Sequence, residues 1–165
     1  MKRPPFNTFP ELQDERILLR EAHEDEVSLL FEILTYDGRP AETLEEGRNI
    51  FSRIHQNYLD GDTVNWVIEQ IETKEMVGFV GYYRGFKDGI GELGCILKAG
   101  FRGKGFMSPA LRLAAKFGIE EMKLNQVIAF TKPDNEKAII LLNRNGFQVE
   151  EGLTEGYLKF VYRAN

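Results

Sequence analysis

A basic glycine-rich segment, Arg102-Gly-Lys-Gly-Phe-Met107, contains the residue types that bind a phosphate group. Gly103 and Gly105 allow a large anion to approach the backbone closely, and Arg102 and Lys104 place positive charge in the same turn. The segment precedes a predicted helix, whose first N–H groups lack intrahelical acceptors and whose dipole is positive at that end. The pattern therefore predicts a pyrophosphate site, which is typical of an enzyme that uses a nucleotide-linked cofactor.

The strand before this segment carries one carboxylate, Glu92, in a stretch otherwise free of acidic side chains. A carboxylate beside a phosphate site is a candidate general base; the alternative is that Glu92 only ends a hairpin near Gly91. Cys95, the one cysteine, is interpreted as a small buried hydrophobe, because no histidine is placed to activate it as a nucleophile. His23 and His55 lie far apart, and no Cys/His spacing indicates a metal site.

Two familiar glycine loops do not fit the segment. A Walker loop needs Gly-x-x-x-x-Gly-Lys-Ser/Thr, whereas here the lysine lies between the glycines. A dinucleotide fingerprint that starts at Gly103 needs a glycine where Ser108 stands. A plain turn is the remaining alternative to a phosphate loop.

Apolar periodicity and turn residues predict the element order β-α-α-β-β-β-α-β-α-β-β. The predicted strands cover residues 16–21, 64–71, 76–83, 90–97, 126–132, 147–153 and 157–162, and the predicted helices cover residues 24–34, 43–61, 106–122 and about 135–145. Thr43–Glu46 has the form of a capping box at the start of the second helix, and a turn at Phe86–Gly89 indicates that the strands at 76–83 and 90–97 form a hairpin. The strand–helix–strand crossover between residues 92 and 132 predicts one parallel strand pair. The fold class is α+β: one domain over residues 1–165, with its core at about 16–163. Its mixed, mostly antiparallel sheet has about seven strands and helices on both faces.

Composition limits the partners of the chain. It has 165 residues and a net charge of −5, which disfavours nucleic-acid binding, since that usually needs a basic surface. No apolar run approaches membrane-spanning length, and the first residues lack the apolar core of a signal peptide. We therefore expect a cytoplasmic protein with no nucleic-acid or membrane partner.

Three segments together resemble the Gcn5-related N-acetyltransferases. The segment Arg102–Met107 resembles their motif A, Arg/Gln-x-x-Gly-x-Gly/Ala, although the family prefers Gly or Ala at the position of Met107. The segment Asn135–Phe147 resembles motif B, in which an Asn opens a helix that ends in Gly-Phe. The segment Arg16–Glu21 is similar to the first strand of the branch that acetylates N-terminal alanines of ribosomal proteins. The element order is also the family's, so the resemblance covers nearly the whole chain and implies the family's acyl-coenzyme A N-acyltransferase fold.

The resemblance implies acetyl-coenzyme A as co-substrate, without a metal, and a direct transfer of the acetyl group to a primary amine through a tetrahedral intermediate. Glu92 would be the base. The backbone of Cys95 and Leu97 would hold the pantetheine arm where two strands splay apart, and the Leu97 amide would polarise the thioester carbonyl. The implied pyrophosphate contacts are the backbone amides of Arg102, Gly103, Lys104, Gly105, Phe106 and Met107. Asn135 contacts the cofactor, caps its helix, or does both.

The general acid stays unassigned, because Leu142 occupies the position where many members of the family have a tyrosine. Tyr82, Tyr83 and Asn143 are alternatives that no spacing supports. A non-catalytic acyl-coenzyme A binding or sensing module is the alternative function. Leu142 and Met107 favour that alternative, whereas a carboxylate at position 92 argues against it.

The acceptor is expected to be an amine substrate, either a protein N-terminus or a small-molecule amine. In the family, the first two helices and the final hairpin line the acceptor cleft. The residues of these segments that could attract a cationic amine, unless they are ordinary surface residues, are Tyr36, Asp37, Glu42, Glu150, Glu151 and Glu155. Self-association as a homodimer through the sheet edge is left open.

Overall fold

A computed structural model describes residues 1–36 and 38–163. The strands are β1 (Leu12–Gln13), β2 (Ile17–Arg20), β3 (Thr35–Tyr36), β4 (Arg39–Pro40), β5 (Val64–Gln70), β6 (Met76–Tyr82), β7 (Ile90–Leu97), β8 (Gln126–Thr131), β9 (Phe147–Val149) and β10 (Leu158–Tyr162). The α-helices are α1 (Val27–Leu30), α2 (Leu44–Leu59), α3 (Met107–Glu120) and α4 (Glu136–Arg144). Asp37, one of the proposed acceptor-cleft residues, lies outside the described residues, as do residues 164 and 165.

The predicted mixed, mostly antiparallel sheet is confirmed. Eight strands follow the order β1-β2-β5-β6-β7-β8-β10-β9, and only β7 and β8 are parallel among the strand pairs of the described residues. The sheet has one strand more than the predicted seven, because the two-residue strand β1 pairs with β2. β3 and β4 form a separate two-stranded ribbon. The extent of the domain, residues 1–165 with a core at about 16–163, stays a prediction.

The parallel pair β7–β8 is short and opens into a gap. Its register runs only from Ile90–Gln126 to Glu92–Ile128. Beyond that point the residues of β8 pair with β10 on their other side, as in the Ala129–Phe160 pair. We call the gap between residues 93–97 of β7 and residues 129–131 of β8 the β7–β8 fork. Glu92 is the last residue of β7 before the fork opens.

Helices cover both faces of the sheet, as predicted. Successive residues of a strand point to opposite faces, and on β5 Trp66 belongs to one buried cluster and Val67 to the other. The Trp66 cluster contains apolar residues of α3 and α4, such as Ala114 and Leu142. The Val67 cluster contains residues of α1 and α2. The sheet is therefore a middle layer between two helical layers.

The first predicted helix, residues 24–34, is wrong as a single α-helix. The chain forms a 3₁₀ turn at Glu24–Glu26, the short helix α1 and a second 3₁₀ turn at Phe31–Ile33. Its apolar side chains do face the sheet, because Val27 and Leu30 are buried. The apolar spacing therefore predicted the buried face correctly. It did not distinguish α-helical from 3₁₀ turns, because both place residues about three positions apart on the same face.

The start of α2 has the predicted cap with a different partner. The Thr43 hydroxyl accepts a hydrogen bond from the backbone N–H of Glu46 at 3.2 Å. The Glu46 carboxylate accepts from the N–H of Glu42 at 2.7 Å, one residue before the expected donor. Both bonds satisfy N–H groups at the helix start, so the capping signal fixed the helix boundary correctly.

Candidate active site

The glycine loop, residues 102–107, connects β7 to α3 through a short 3₁₀ turn at Ala99–Phe101. Gly103 and Gly105 have φ values of +73° and +82°, in the left-handed region that favours glycine. Backbone N–H groups of residues 103–106 have no acceptor among the described residues. A Cβ on Gly103 would meet nothing within 4 Å, so the space beside Gly103 is open.

The side chains of the loop divide between solvent and core. Arg102 and Lys104 are exposed. Phe106 is 3% exposed and belongs to the Trp66 cluster, and Met107 packs partly against the same cluster. Met107 therefore points its side chain toward the core, although the family prefers a smaller residue there.

Arg16, immediately before β2, stabilises the loop from the first part of the chain. Its guanidinium donates hydrogen bonds to the carbonyl oxygens of Lys104 at 3.1 Å and Gly105 at 3.3 Å. It also lies 4.9 Å from the centre of the Phe106 ring. Sequence reasoning had placed Arg16 only at the start of a strand, because no local spacing connects it to residues almost ninety positions later.

The edge of β7 that faces the fork has unpaired backbone groups. The N–H of Lys98 bonds the carbonyl of Val77 on the β6 side at 2.9 Å. N–H directions alternate along an antiparallel strand, so the N–H groups of Cys95 and Leu97 point away from β6 into the fork. The Leu97 carbonyl accepts a hydrogen bond from Arg102 Nε at 3.4 Å. The two predicted backbone positions therefore face the same gap.

Glu92 stands at the closed end of the fork with its side chain 14% exposed. Its Oε1 accepts a hydrogen bond of 2.6 Å from the Tyr83 hydroxyl and lies 3.7 Å from Arg84 Nε. Burial and the hydrogen bond to Glu92 raise the pKa of Tyr83, so its hydroxyl stays protonated and remains a donor. Oε2 of Glu92 has no partner among the described residues, which leaves it able to accept a proton.

Two glycines make room for the polar groups beside Glu92. Gly81 of β6 and Gly94 of β7 face each other across the strand pair. A Cβ on Gly94 would lie 2.7 Å from Tyr83 Cε1, and a Cβ on Gly81 would lie 2.3 Å from Asn65 Oδ1. The Tyr83 ring and the Asn65 amide therefore lie directly on the sheet backbone, where any larger residue would displace them.

The remaining candidate residues separate by face. Tyr82 is buried on the α3 side, where its hydroxyl donates to the Ala114 carbonyl at 2.9 Å, so it does not reach Glu92. Leu142 is buried in the core, and Asn143 is exposed on α4. Burial raises the pKa of the Cys95 thiol to about 12, which keeps it un-ionised and unsuited to nucleophilic attack. Of the three alternatives for a general acid, only Tyr83 contacts Glu92.

Asn135 caps α4. Its Oδ1 accepts a hydrogen bond from the Ala138 N–H at 3.2 Å, which satisfies one free donor at the helix start. The far end of the helix is tied to α3, because the Asn145 Oδ1 accepts from the Ser108 hydroxyl at 2.8 Å. The capping role foreseen for Asn135 is thus present, and a cofactor contact stays a prediction.

A cavity of about 620 Å³ lies on the sheet face that carries Glu92. Its floor includes Gly81 and Gly94, and its mouth includes Tyr83 and Arg84. Its apolar wall comes from both sides of the gap between the α1–α2 layer and the sheet: Ala22, Ile33, Leu34, Phe51, Ile54, Phe79, Val80 and Ile96. A cavity of this size suits a small ligand.

The acidic residues suggested for the acceptor cleft lie elsewhere. Of the described members of that set, only Tyr36 lines the cavity. Glu42, Glu151 and Glu155 are exposed, and the Glu150 carboxylate pairs with Lys159 Nζ at 2.8 Å. For the described ones, the alternative interpretation as ordinary surface charge fits better than a role in binding a cationic amine.

Residues 1–36 and 38–163 contain no group of three or more His, Cys, Asp or Glu side chains placed to hold a metal ion. The same residues include no helix whose length and apolar character would let it cross a membrane.

Comparisons with known proteins agree with this geometry. The model of the acetyltransferase (GNAT) domain matches residues 16–148. The uncharacterized N-acetyltransferase p20 of Bacillus licheniformis is 30% identical over 150 residues, which cover 90% of this chain and 81% of that protein.

Solved structures share the fold at lower identity. A candidate ribosomal-protein-serine acetyltransferase of Vibrio cholerae has a TM-score of 0.76 and 19% identity, over 98% of both chains. A dodecameric spermidine N-acetyltransferase of the same organism has a TM-score of 0.72 and 18% identity, over 90% of this chain and 94% of that one. Because the family match runs from the residue that stabilises the glycine loop, through the whole fork, to the last helix, this chain belongs to the GNAT family and is an acetyltransferase.

Proposed function

We propose that the protein moves an acetyl group from acetyl-coenzyme A directly to a primary amine, with Glu92 as general base. The position of Glu92 carries this proposal. It stands where β7 leaves β8, so the free edge of β7 leads from its carboxylate to the glycine loop. A single segment of the chain thus contains, in order, a proton acceptor, a free strand edge and a set of N–H groups that can donate to an anion.

The chain fits acetyl-coenzyme A in three places. The unpaired N–H groups of residues 103–106 suit a pyrophosphate, with Arg102 and Lys104 adding positive charge. The fork-facing backbone of Cys95 and Leu97 suits the amide groups of a pantetheine arm. The side-chain nitrogen of Asn135, Nδ2, makes no hydrogen bond among the described residues and is the proposed further contact. The bound co-substrate supplies a thioester, which is an activated acyl group.

The residues divide the chemistry between them. Glu92 Oε2 takes a proton from the attacking amine, whose nitrogen forms a bond to the acyl carbon to give a tetrahedral intermediate. The carbon–sulfur bond breaks when that intermediate collapses. The Leu97 N–H would stabilise the oxyanion that develops, a contribution worth about a hundredfold or more in rate. The sulfur leaves as a thiolate. A thiol with a pKa of about 8.5 can leave in this form without a general acid.

The acceptor is an amine of a protein N-terminus or of a small molecule. The resemblance of residues 16–21 to the ribosomal-protein branch supports a protein N-terminus as acceptor. The fold neighbours include a candidate ribosomal-protein-serine acetyltransferase and a spermidine N-acetyltransferase, so both classes of acceptor stay open. Cytoplasmic location and homodimer formation stay predictions; among fold neighbours, the dodecameric enzyme shows that this fold can assemble.

The base role is tested with Glu92→Gln. We expect the rate of thiol release from acetyl-coenzyme A with an amine panel to fall by about 10²–10⁴, because proton transfer to a side chain contributes that much. Affinity for coenzyme A, measured by calorimetry, should stay unchanged. Glu120→Gln, an equivalent charge change at an exposed position of α3, is the matched control.

Two outcomes would contradict the proposal in different ways. Equal rates in Glu92→Gln and in the unmodified protein would remove Glu92 from the mechanism. Tight coenzyme A binding without thiol release for any amine would favour the sensing module instead.

A further inference from the structure

We propose that the cavity on the Glu92 face binds a compact primary amine whose other groups are uncharged: an apolar body with one or two amide or hydroxyl groups. This inference rests on the proposed acetyl transfer, since it names the class of amine that the same site accepts. A cavity for such an amine differs from one that binds polyamines, which carry several ammonium groups. The lining, the unpaired polar groups and the charge of the cavity carry the argument.

The cavity wall is mostly apolar. Ile33 and Leu34 enter from the α1 side, Phe51 and Ile54 from α2, and Phe79 and Ile96 from the sheet. An extended cation lying against these side chains would lose its hydration without gaining a partner, which is unfavourable. An apolar group of the acceptor would instead gain by leaving water.

Neutral polar groups are concentrated on the floor and one side. Thr63 is 5% exposed, and its buried hydroxyl has no hydrogen-bond partner. The side-chain amides of Asn57 and Asn65 make no hydrogen bond among the described residues. Gly81 fixes the Asn65 amide against the sheet, as described above. Amide side chains both donate and accept, so these groups suit an uncharged amide or hydroxyl of the ligand.

The charge of the cavity disfavours a ligand with more than one ammonium group. Arg84 is the one charged side chain among the described residues that line it. The Glu92 carboxylate, 3.7 Å from Arg84 Nε, is placed to take the proton of one amine. A second or third ammonium of the same ligand would meet the Arg84 guanidinium and the apolar wall, and no further described carboxylate. The site therefore discriminates against polyamines by repulsion as well as by lack of partners.

The test compares two acceptors, L-phenylalaninamide and spermidine, in the full-length protein with acetyl-coenzyme A. We expect kcat/KM to favour phenylalaninamide by about tenfold or more, because unpaired buried groups discriminate at least that strongly. Calorimetry with coenzyme A present should show tighter binding of phenylalaninamide without any need for turnover.

Asn65→Asp places a carboxylate in the cavity at almost constant volume. We expect it to shift the ratio of the two kcat/KM values toward spermidine by about tenfold. Asn57→Asp serves the same purpose from α2 if the first variant does not fold. Gln148→Glu adds the same charge at an exposed position of β9 and should leave the ratio unchanged.

The outcomes separate the two proposals. Acetylation of spermidine at least as efficient as that of phenylalaninamide would overturn the present inference and leave acetyl transfer standing. Tight binding of phenylalaninamide without acetylation of either amine would support the inference and contradict the proposed function. A ratio that Asn65→Asp and Asn57→Asp both leave unchanged would overturn the assignment of the cavity.

Discussion

At the scale of single residues, the pairing of Tyr83 with Glu92 is the feature that sequence reasoning could not establish. The predicted hairpin of β6 and β7 is correct, and its register, Tyr82 opposite Leu93, brings the next residues together. That register depends on the 3₁₀ turn at Lys87–Gly89, whose Asp88 adopts a left-handed φ of 56°. The sequence indicated a turn there but not its geometry, so Tyr83 remained one of three alternatives.

Tyr83→Phe removes the hydroxyl that holds Oε1 of Glu92. We expect kcat/KM to fall about tenfold, the equivalent of one hydrogen bond to a charged group. The loss should be mainly in kcat, because Tyr83 orients the base, and affinity for coenzyme A should not change. Tyr157→Phe, at an exposed site in the last hairpin, is the control. A large fall in thermal stability with unchanged kcat would instead assign Tyr83 a structural role.

At the scale of elements, the residue before one strand stabilises a distant loop. Arg16 precedes β2 and reaches the carbonyls of Lys104 and Gly105. Because these carbonyls accept hydrogen bonds from Arg16, the loop keeps the positive φ values of Gly103 and Gly105, which leave its N–H groups free. The bounds of β7, Ile90–Leu97, agree with those predicted from the sequence, whereas the hydrogen bonds between Arg16 and the loop join remote segments and have no local signature.

Arg16→Ala should weaken coenzyme A binding by about threefold to tenfold, because a loop that loses two hydrogen bonds must be ordered on binding. Calorimetry with coenzyme A measures the effect. Arg16→Lys should recover only part of the affinity, since an ammonium lacks the planar fork that bonds two carbonyls. Arg144→Ala, at the exposed end of α4, should bind normally; unaltered affinity in Arg16→Ala would contradict the role.

At the scale of the whole molecule, a partly buried ion cluster joins the α1 layer to the sheet. Arg20 donates to Glu26 Oε1 at 2.7 Å and to Glu69 Oε2 at 2.6 Å. Burial by itself would raise the pKa of Glu26, but hydrogen bonds from Arg20 and from the His23 N–H outweigh burial and lower it below 4.5. A lowered pKa means that the native state favours the ionised carboxyl more than the unfolded state does.

The lowered pKa of Glu26 determines how the stability of the protein depends on pH. The contribution of Glu26 is present above its ordinary pKa of 4.5 and is lost as the pH falls through its lower native pKa. Glu26→Gln should therefore melt about 2–8 °C below the unmodified protein at pH 7, with the difference shrinking below pH 4.5. Thermal unfolding followed by circular dichroism measures this. Glu24→Gln, at an exposed neighbouring position, should follow the unmodified protein; a difference that is independent of pH would refute the argument.

The sequence allowed the layer order, the parallel pair and the glycine loop to be predicted, because each depends on periodicity or on turn residues that are local. The broken first helix and the two-residue strand β1 escaped prediction for a physical reason. Leu12 and Gln13 form a ladder of only two residues with β2, which is too short to show the alternation that identifies longer strands. The composition of the cavity also escaped, since its lining comes from segments between residues 22 and 96 that only the tertiary fold brings together.

The shortness of the β7–β8 ladder has a mechanical consequence. Only three residue pairs form the described ladder between the five strands on one side of the seam and the three on the other. A molecule lodged in this seam would act as a missing strand and convert two half-sheets into one continuous sheet. We therefore expect occupancy and rigidity to be coupled, with the loaded protein stiffer along this seam than the empty one.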